Sequence, residues 1–133
     1  MAHSSINWLA VIMAMIAQMV VGFVWFSPAL FFQKWLDANQ LQAPRKPEAW
    51  IFIVMVILTF ISTTALAAIL RNIGSRTAFA GIIAAGFIWT ATLMPFIAGT
   101  TLSTGRKYSL IALEYGHTII GLLIAGAILA AWH

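Results

Sequence analysis

A chain of 133 residues that is 62% hydrophobic and 8% charged, with a mean hydropathy of +0.98, lies outside the soluble range of roughly 45–50% apolar and about 25% charged. Seven Lys and Arg with three Asp and Glu cannot cover a soluble domain of this length, so its surface faces lipid. The absence of cysteine excludes disulfides, Cys-ligated zinc and thiol nucleophiles; the net charge of +4 is scattered through the loops, which argues for anionic lipid headgroups and against nucleic acid as the partner.

The first apolar run, Ile6 to Phe26, is long enough to cross a hydrocarbon core of about 30 Å. Met1 to Ser5 carries no Lys or Arg, so the run reads as a retained helix and not as a signal peptide. Ser27-Pro28 stops it, because proline lacks a backbone donor and disfavours the α region for its predecessor. Ala29 to Gln42 places Leu30, Phe31, Trp35 and Leu36 near one face, which predicts a short amphipathic helix at the headgroup level; a fraying extension of the first span is the alternative. Pro44-Arg45-Lys46-Pro47 is then a stiff basic turn.

The second span is Ala49 to Leu70, whose Thr59, Ser62, Thr63 and Thr64 are tolerable in lipid if their hydroxyls bond back to carbonyls one turn earlier. Arg71 to Arg76 is a tight loop, the third span runs from Thr77 to about Ala98 with Pro95 near its end, and the fourth from Tyr108 to Trp132. The expected fold is therefore all-α, a single-domain integral membrane four-helix bundle with an interfacial helix between spans one and two. Loops one and three hold Lys34, Arg45, Lys46, Arg106 and Lys107 against Arg71 and Arg76 in loop two, which favours loops one and three in the cytoplasm and both termini outside. Gly22-Phe23-Val24-Trp25 and Gly86-Phe87-Ile88-Trp89 hint at a parallel repeat, but spans two and four show little similarity and chance is the better explanation.

Glu114 and His117 are the side chains that ionise readily inside a span. A carboxylate at mid-bilayer costs about 2.5 to 3.5 kcal/mol, so it should face protein or water. The pair shares one helix face, and Gly121 and Ala125 continue that face with small residues that admit a neighbouring backbone. Span one offers Asn7, Ala14, Gln18, Val21 and Trp25 on a matching arc. At about 1.5 Å per residue Gln18 and His117 lie at similar depth, with Glu114 one turn nearer the surface. Two readings stay open: interhelical glue, or a polar ladder that relays protons or ions, since a histidine of pKa about 6.5 beside a carboxylate exchanges protons near neutral pH. A metal or haem site is poorly supported, because the companion Glu residues of a di-iron bundle and a second histidine motif are missing; no metal and no cofactor is expected. Trp8, Trp35, Trp50 and Trp132 lie at span ends as interfacial anchors, while Trp25 and Trp89 are deeper and serve packing.

The residues Asn7-Trp8-Leu9-Ala10-Val11, Gly22-x-x-Trp25-Phe26-Ser27-Pro28-x-x-Phe31, Gly105-Arg106, His117 and Gly126-Ala127-Ile128-Leu129-x-x-Trp132 resemble the domain-of-unknown-function 1761 family nearly end to end. The resemblance implies a small four-span bacterial membrane protein and no particular activity. Where many relatives carry Tyr directly before this histidine, the chain reads Tyr115-Gly116-His117. The sequence therefore predicts a self-associating channel or transporter with Gln18, Glu114 and His117 along its route. A non-catalytic accessory or scaffold subunit of a larger membrane complex is the alternative. No enzyme is expected, since no nucleophile and base pair is visible.

Overall fold

The computed structural model describes residues 6–27, 30, 33–34, 37, 49–105 and 108–133. Within them are four α-helices, each long and apolar enough to cross a membrane, and no strand: α1 (Trp8–Trp25), α2 (Ala49–Asn72), α3 (Ala78–Thr104) and α4 (Ser109–Ala131). The surface helix expected over Ala29–Gln42 lies largely outside the described residues.

Local chemistry sets the helix ends. Asn7 caps α1, its Oδ1 accepting the Ala10 N–H at 3.2 Å. Gly74, at φ +73°, closes α2 in a Schellman arrangement: its N–H bonds the Arg71 carbonyl at 3.0 Å and the Ser75 N–H bonds the Leu70 carbonyl at 2.9 Å. Only glycine adopts that left-handed backbone without strain. Thr77 then caps α3 by accepting the Ala80 N–H at 3.1 Å, so the helix at each end of loop two is capped, while the buried Ser75 hydroxyl between them has no partner among the described residues.

Sequence and structure differ most in α3, which does not stop near Ala98 but runs through Pro95 and Gly99 to Thr104, where Gly105 ends it at φ +70°. In lipid the backbone must satisfy itself, so continuing the helix costs less than leaving several carbonyls bare. At about 1.5 Å per residue the 27 residues of α3 exceed a 30 Å core, and its last turn reaches the headgroup region. The Thr104 hydroxyl there donates to the Thr100 carbonyl at 2.6 Å.

The fourth helix is the hub: it packs most extensively on α3, then on α1, while α2 rests more lightly on α1 and α4. The core is concentrated at one end of the bundle, where Ala10, Val11 and Ala14 of α1 meet Leu66, Ala67 and Leu70 of α2 and Ala125, Leu129 and Ala130 of α4. At that end α3 and α4 cross with their backbones in contact. A Cβ on Gly81 would overlap the Gly126 carbonyl, and one on Gly126 would meet the Ala85 Cβ at 2.8 Å. Small residues at four-residue spacing are what permit such an approach in a membrane. Phe23, Phe79, Phe87 and Phe96 point outward and, with most other large apolar side chains, form the surface that lipid covers.

Candidate functional site

The antiparallel seam between α1 and α4 carries Asn7, Gln18, Glu114 and His117, while the fully buried hydroxyls of Thr63 and Thr101 belong to α2 and α3. At one end Asn7 Nδ2 donates to the Trp132 carbonyl at 3.2 Å. Ala14 and Ala125 are both fully buried, Gln18 lies over Gly121, and Gly22 faces His117. Asn7 is thus a helix cap and an interhelical tie, Ala125 part of the core, and Gly121 the gap that seats Gln18.

The Gln18 amide turns away from α4. Its Nε2 donates to Thr63 Oγ1 at 2.8 Å and to the Ala14 carbonyl at 3.2 Å, so one side chain joins α1, α2 and, through Gly121, α4. Thr59 and Ser62 do donate to carbonyls of the preceding turn, at 2.8 and 3.1 Å, as hydroxyls in lipid should. Thr63 departs from that pattern because Gln18 stands opposite it.

His117 occupies a niche one turn along. Its ring is tilted at 60° to Phe26 with centroids 5.1 Å apart, and Nε2 would stand 3.3 Å from a Cβ on Gly22. Any side chain larger than glycine at position 22 would press on the imidazole. Glu114 is half-buried on the same face of α4 and lies close enough for its charge to act on His117. The structure therefore brings Glu114 and His117 together and places Gln18 beside them with its amide already engaged by Thr63.

Trp25 closes this end of the seam. Its indole N–H donates to the Leu113 carbonyl at 2.9 Å, and its ring lies so close over Gly116 that a Cβ there would overlap it. Trp89 of α3 does the corresponding work on the other side of α4: its N–H donates to Thr118 Oγ1 at 3.0 Å, and Thr118 donates on to the Glu114 carbonyl at 2.8 Å. Tyr115 stands edge-on to Trp89 at 5.0 Å and its hydroxyl donates to the Met94 carbonyl. The two Gly-x-x-Trp segments thus share a geometry whatever their origin. In each, glycine and tryptophan face α4 while the intervening phenylalanine turns away from it, Phe23 onto Phe52 of α2 and Phe87 outward.

Thr63, Gly116 and Thr118 were not legible as site residues. Each is defined by a partner on another helix, and the one available signal was the repeated Gly-x-x-Trp spacing, which marks a common packing face. Chemically, the seam offers one carboxylate, one imidazole and two amides, those of Asn7 and Gln18. No group of three or more His, Asp or Glu side chains converges among the described residues.

No curated protein and no solved structure matches this chain. A family described as protein of unknown function (DUF1761) matches residues 9–130, which takes in all four helices but for the first residue of α1 and the last of α4, and the seam short of its Asn7–Trp132 end. By that match, and by the four apolar helices, the protein is a multi-pass membrane member of the DUF1761 family.

Proposed function

We propose that the chain is a non-catalytic, membrane-embedded subunit that acts by assembling with other membrane chains, copies of itself first. The observation that carries this reading is the first half of α2. Ile53, Met55, Leu58 and Ile61 are each more than half exposed, so this stretch meets its own chain along one side alone, where Phe52 stacks on Phe23, Val56 reaches the core and Phe60 stacks on Trp8. Interior capacity for conduction is small by comparison, since Gln18 is held by Thr63 and Trp25 is wedged over Gly116. Because the chain has no cysteine, a single Met55→Cys is a clean probe. In lipid nanodiscs loaded by co-reconstitution, oxidation should trap a Met55→Cys dimer and leave a Phe87→Cys control, on the outer face of α3, monomeric. A monomer at both positions, with no protein recovered reproducibly alongside it from native membranes in mild detergent, overturns the reading.

A second reading is a proton or ion route, supported by Glu114 and His117 lying together on one face of α4. Reconstituted vesicles should then show pH-dependent flux that Glu114→Gln abolishes; flux unaltered by that change removes it. We place the protein in the bacterial cytoplasmic membrane with loops one and three inside, on the distribution of basic residues.

A further inference from the structure

Pro95 of α3 and Gly116 of α4 stand at one level of the bundle, as the bond from the Tyr115 hydroxyl to the Met94 carbonyl requires. Each weakens its helix. Proline has no N–H for the Ala91 carbonyl, and glycine has the lowest helix propensity of the residues that keep an N–H. One such point in a membrane helix is ordinary. Two that face each other across the α3–α4 pair divide it into a body and a tip, the tip comprising residues 96–104 of α3 and 109–115 of α4.

The backbone at this level is supplied with spare donors. The Leu113 carbonyl accepts the Trp25 indole N–H at 2.9 Å, and the Glu114 and Tyr115 carbonyls lie 2.8 and 3.3 Å from the Thr118 hydroxyl. The Met94 carbonyl accepts the Tyr115 hydroxyl. All four carbonyls belong to the turn before Gly116 or Pro95. A bend in lipid is prohibitive where it bares carbonyls and admissible where side chains already hold them. A threonine that bonds back one turn also favours bending.

The tip has an inside of its own, since Ile97, Thr101 and Leu113 are buried while Phe96 and Leu102 face outward. Trp25 ties it to α1 twice, through the bond to Leu113 and through the ring lying over Gly116. From this geometry we propose that the tip is a hinged unit that bends about Pro95 and Gly116, with Trp25 as the latch that holds it against α1. Glu114 rides on the tip and His117 stays with the body, so release of the latch changes the separation of the two ionisable groups of the seam. The motion belongs to helix backbones within one chain and is independent of the assembly reading.

The test uses the full chain in lipid nanodiscs, with spin labels on pairs of cysteines introduced into a chain that has none. Leu102→Cys with Val20→Cys reports tip against α1, and Phe87→Cys with Val20→Cys reports body against α1; all three positions are exposed, so the labels disturb no packing. Pulsed electron resonance should give one main Leu102–Val20 distance in the parent chain. Trp25→Phe, which keeps a ring and loses the N–H, should enlarge a second population at a different distance about fivefold, the effect of one net hydrogen bond, and leave the Phe87–Val20 distribution unchanged. Adding Pro95→Ala to Trp25→Phe should shrink that population again, because the restored N–H stiffens α3. An unaltered Leu102–Val20 distribution in Trp25→Phe, equal broadening of both pairs, or no effect of Pro95→Ala overturns the proposal. If Trp25→Phe does not fold, Pro95→Ala alone decides: a narrower Leu102–Val20 distribution supports the hinge and an unchanged one overturns it.

Discussion

Thr63 and Thr101 are both fully buried threonines, yet the same change to valine should act on them with opposite sign. Thr63 accepts the Gln18 amide, and Thr63→Val leaves that amide with one bond where it had two; a loss of roughly 0.6–2 kcal/mol in detergent unfolding is expected. A double-mutant cycle with Gln18→Leu should assign most of it to the pair. Thr101 Oγ1 is buried with no partner among the described residues, so Thr101→Val removes a desolvated hydroxyl at nearly constant volume and should stabilise by about 1 kcal/mol in the same assay. Gly116 obeys a steric rule in place of a polar one. Gly116→Ala drives a Cβ into the rigid Trp25 ring and should cost about 1–3 kcal/mol, most of which Trp25→Leu in the same chain restores. No restoration would mean that the Trp25 bond to Leu113, and not the contact, sets the site.

Pro95 and Gly81 are the positions where whole elements respond. Proline inside α3 removes the N–H that would bond the Ala91 carbonyl, at a cost bounded by about 3 kcal/mol. Pro95→Ala should therefore raise the unfolding midpoint while leaving the helix bounds unchanged, as circular dichroism would read. Gly81→Leu acts in the other direction. It cannot be absorbed by rotating a side chain, because what lies opposite is the Gly126 backbone, so α3 must separate from α4 and take the Trp89–Thr118 bond with it. A small-residue stripe on α4 was legible in the sequence at Gly121 and Ala125, but the closest crossing is at Gly126, the next residue after Ala125 and about 100° around the helix from it. Which of several small residues faces which helix depends on the rotation of α4 between two neighbours, and a single helix's periodicity does not contain it.

For the molecule as a whole, the four spans require Asn72 at the end of α2 and Thr104 at the end of α3 to lie on opposite sides of the membrane. Single cysteines at these exposed positions should label oppositely with a membrane-impermeant maleimide in intact cells. On the proposed orientation Asn72→Cys is the one that reacts from outside. Labelling of both or neither in intact cells, with full reaction after permeabilisation, would contradict the span arrangement. The bundle is also uneven along its length. The end bearing Ala10, Leu70 and Ala130 joins α1, α2 and α4 in one core, whereas at the other end Ile97, Thr101 and Leu113 of α3 and α4 are buried and the start of α2 is exposed. Assembly is expected at the exposed start of α2.

The amino-acid sequence by itself determined the solvent, the number of spans and most of their ends, because hydrophobic run length against bilayer thickness is a local quantity that each segment carries alone. It also identified Gln18, Glu114 and His117 as the polar content of the interior, since an ionisable or amide group in an apolar run is conspicuous whatever its partners. Only the tertiary structure decided what those groups touch. It sent the Gln18 amide to Thr63, set His117 against Gly22 and Phe26, and joined the two ends of loop two to the ends of α1 and α4 around a small cavity. The reason is that four helices with nearly uniform apolar faces have no dominant stripe to fix their rotation. Backbone approach at Gly81, Gly116 and Gly126, and the few polar bonds that become possible once it occurs, choose the rotation instead.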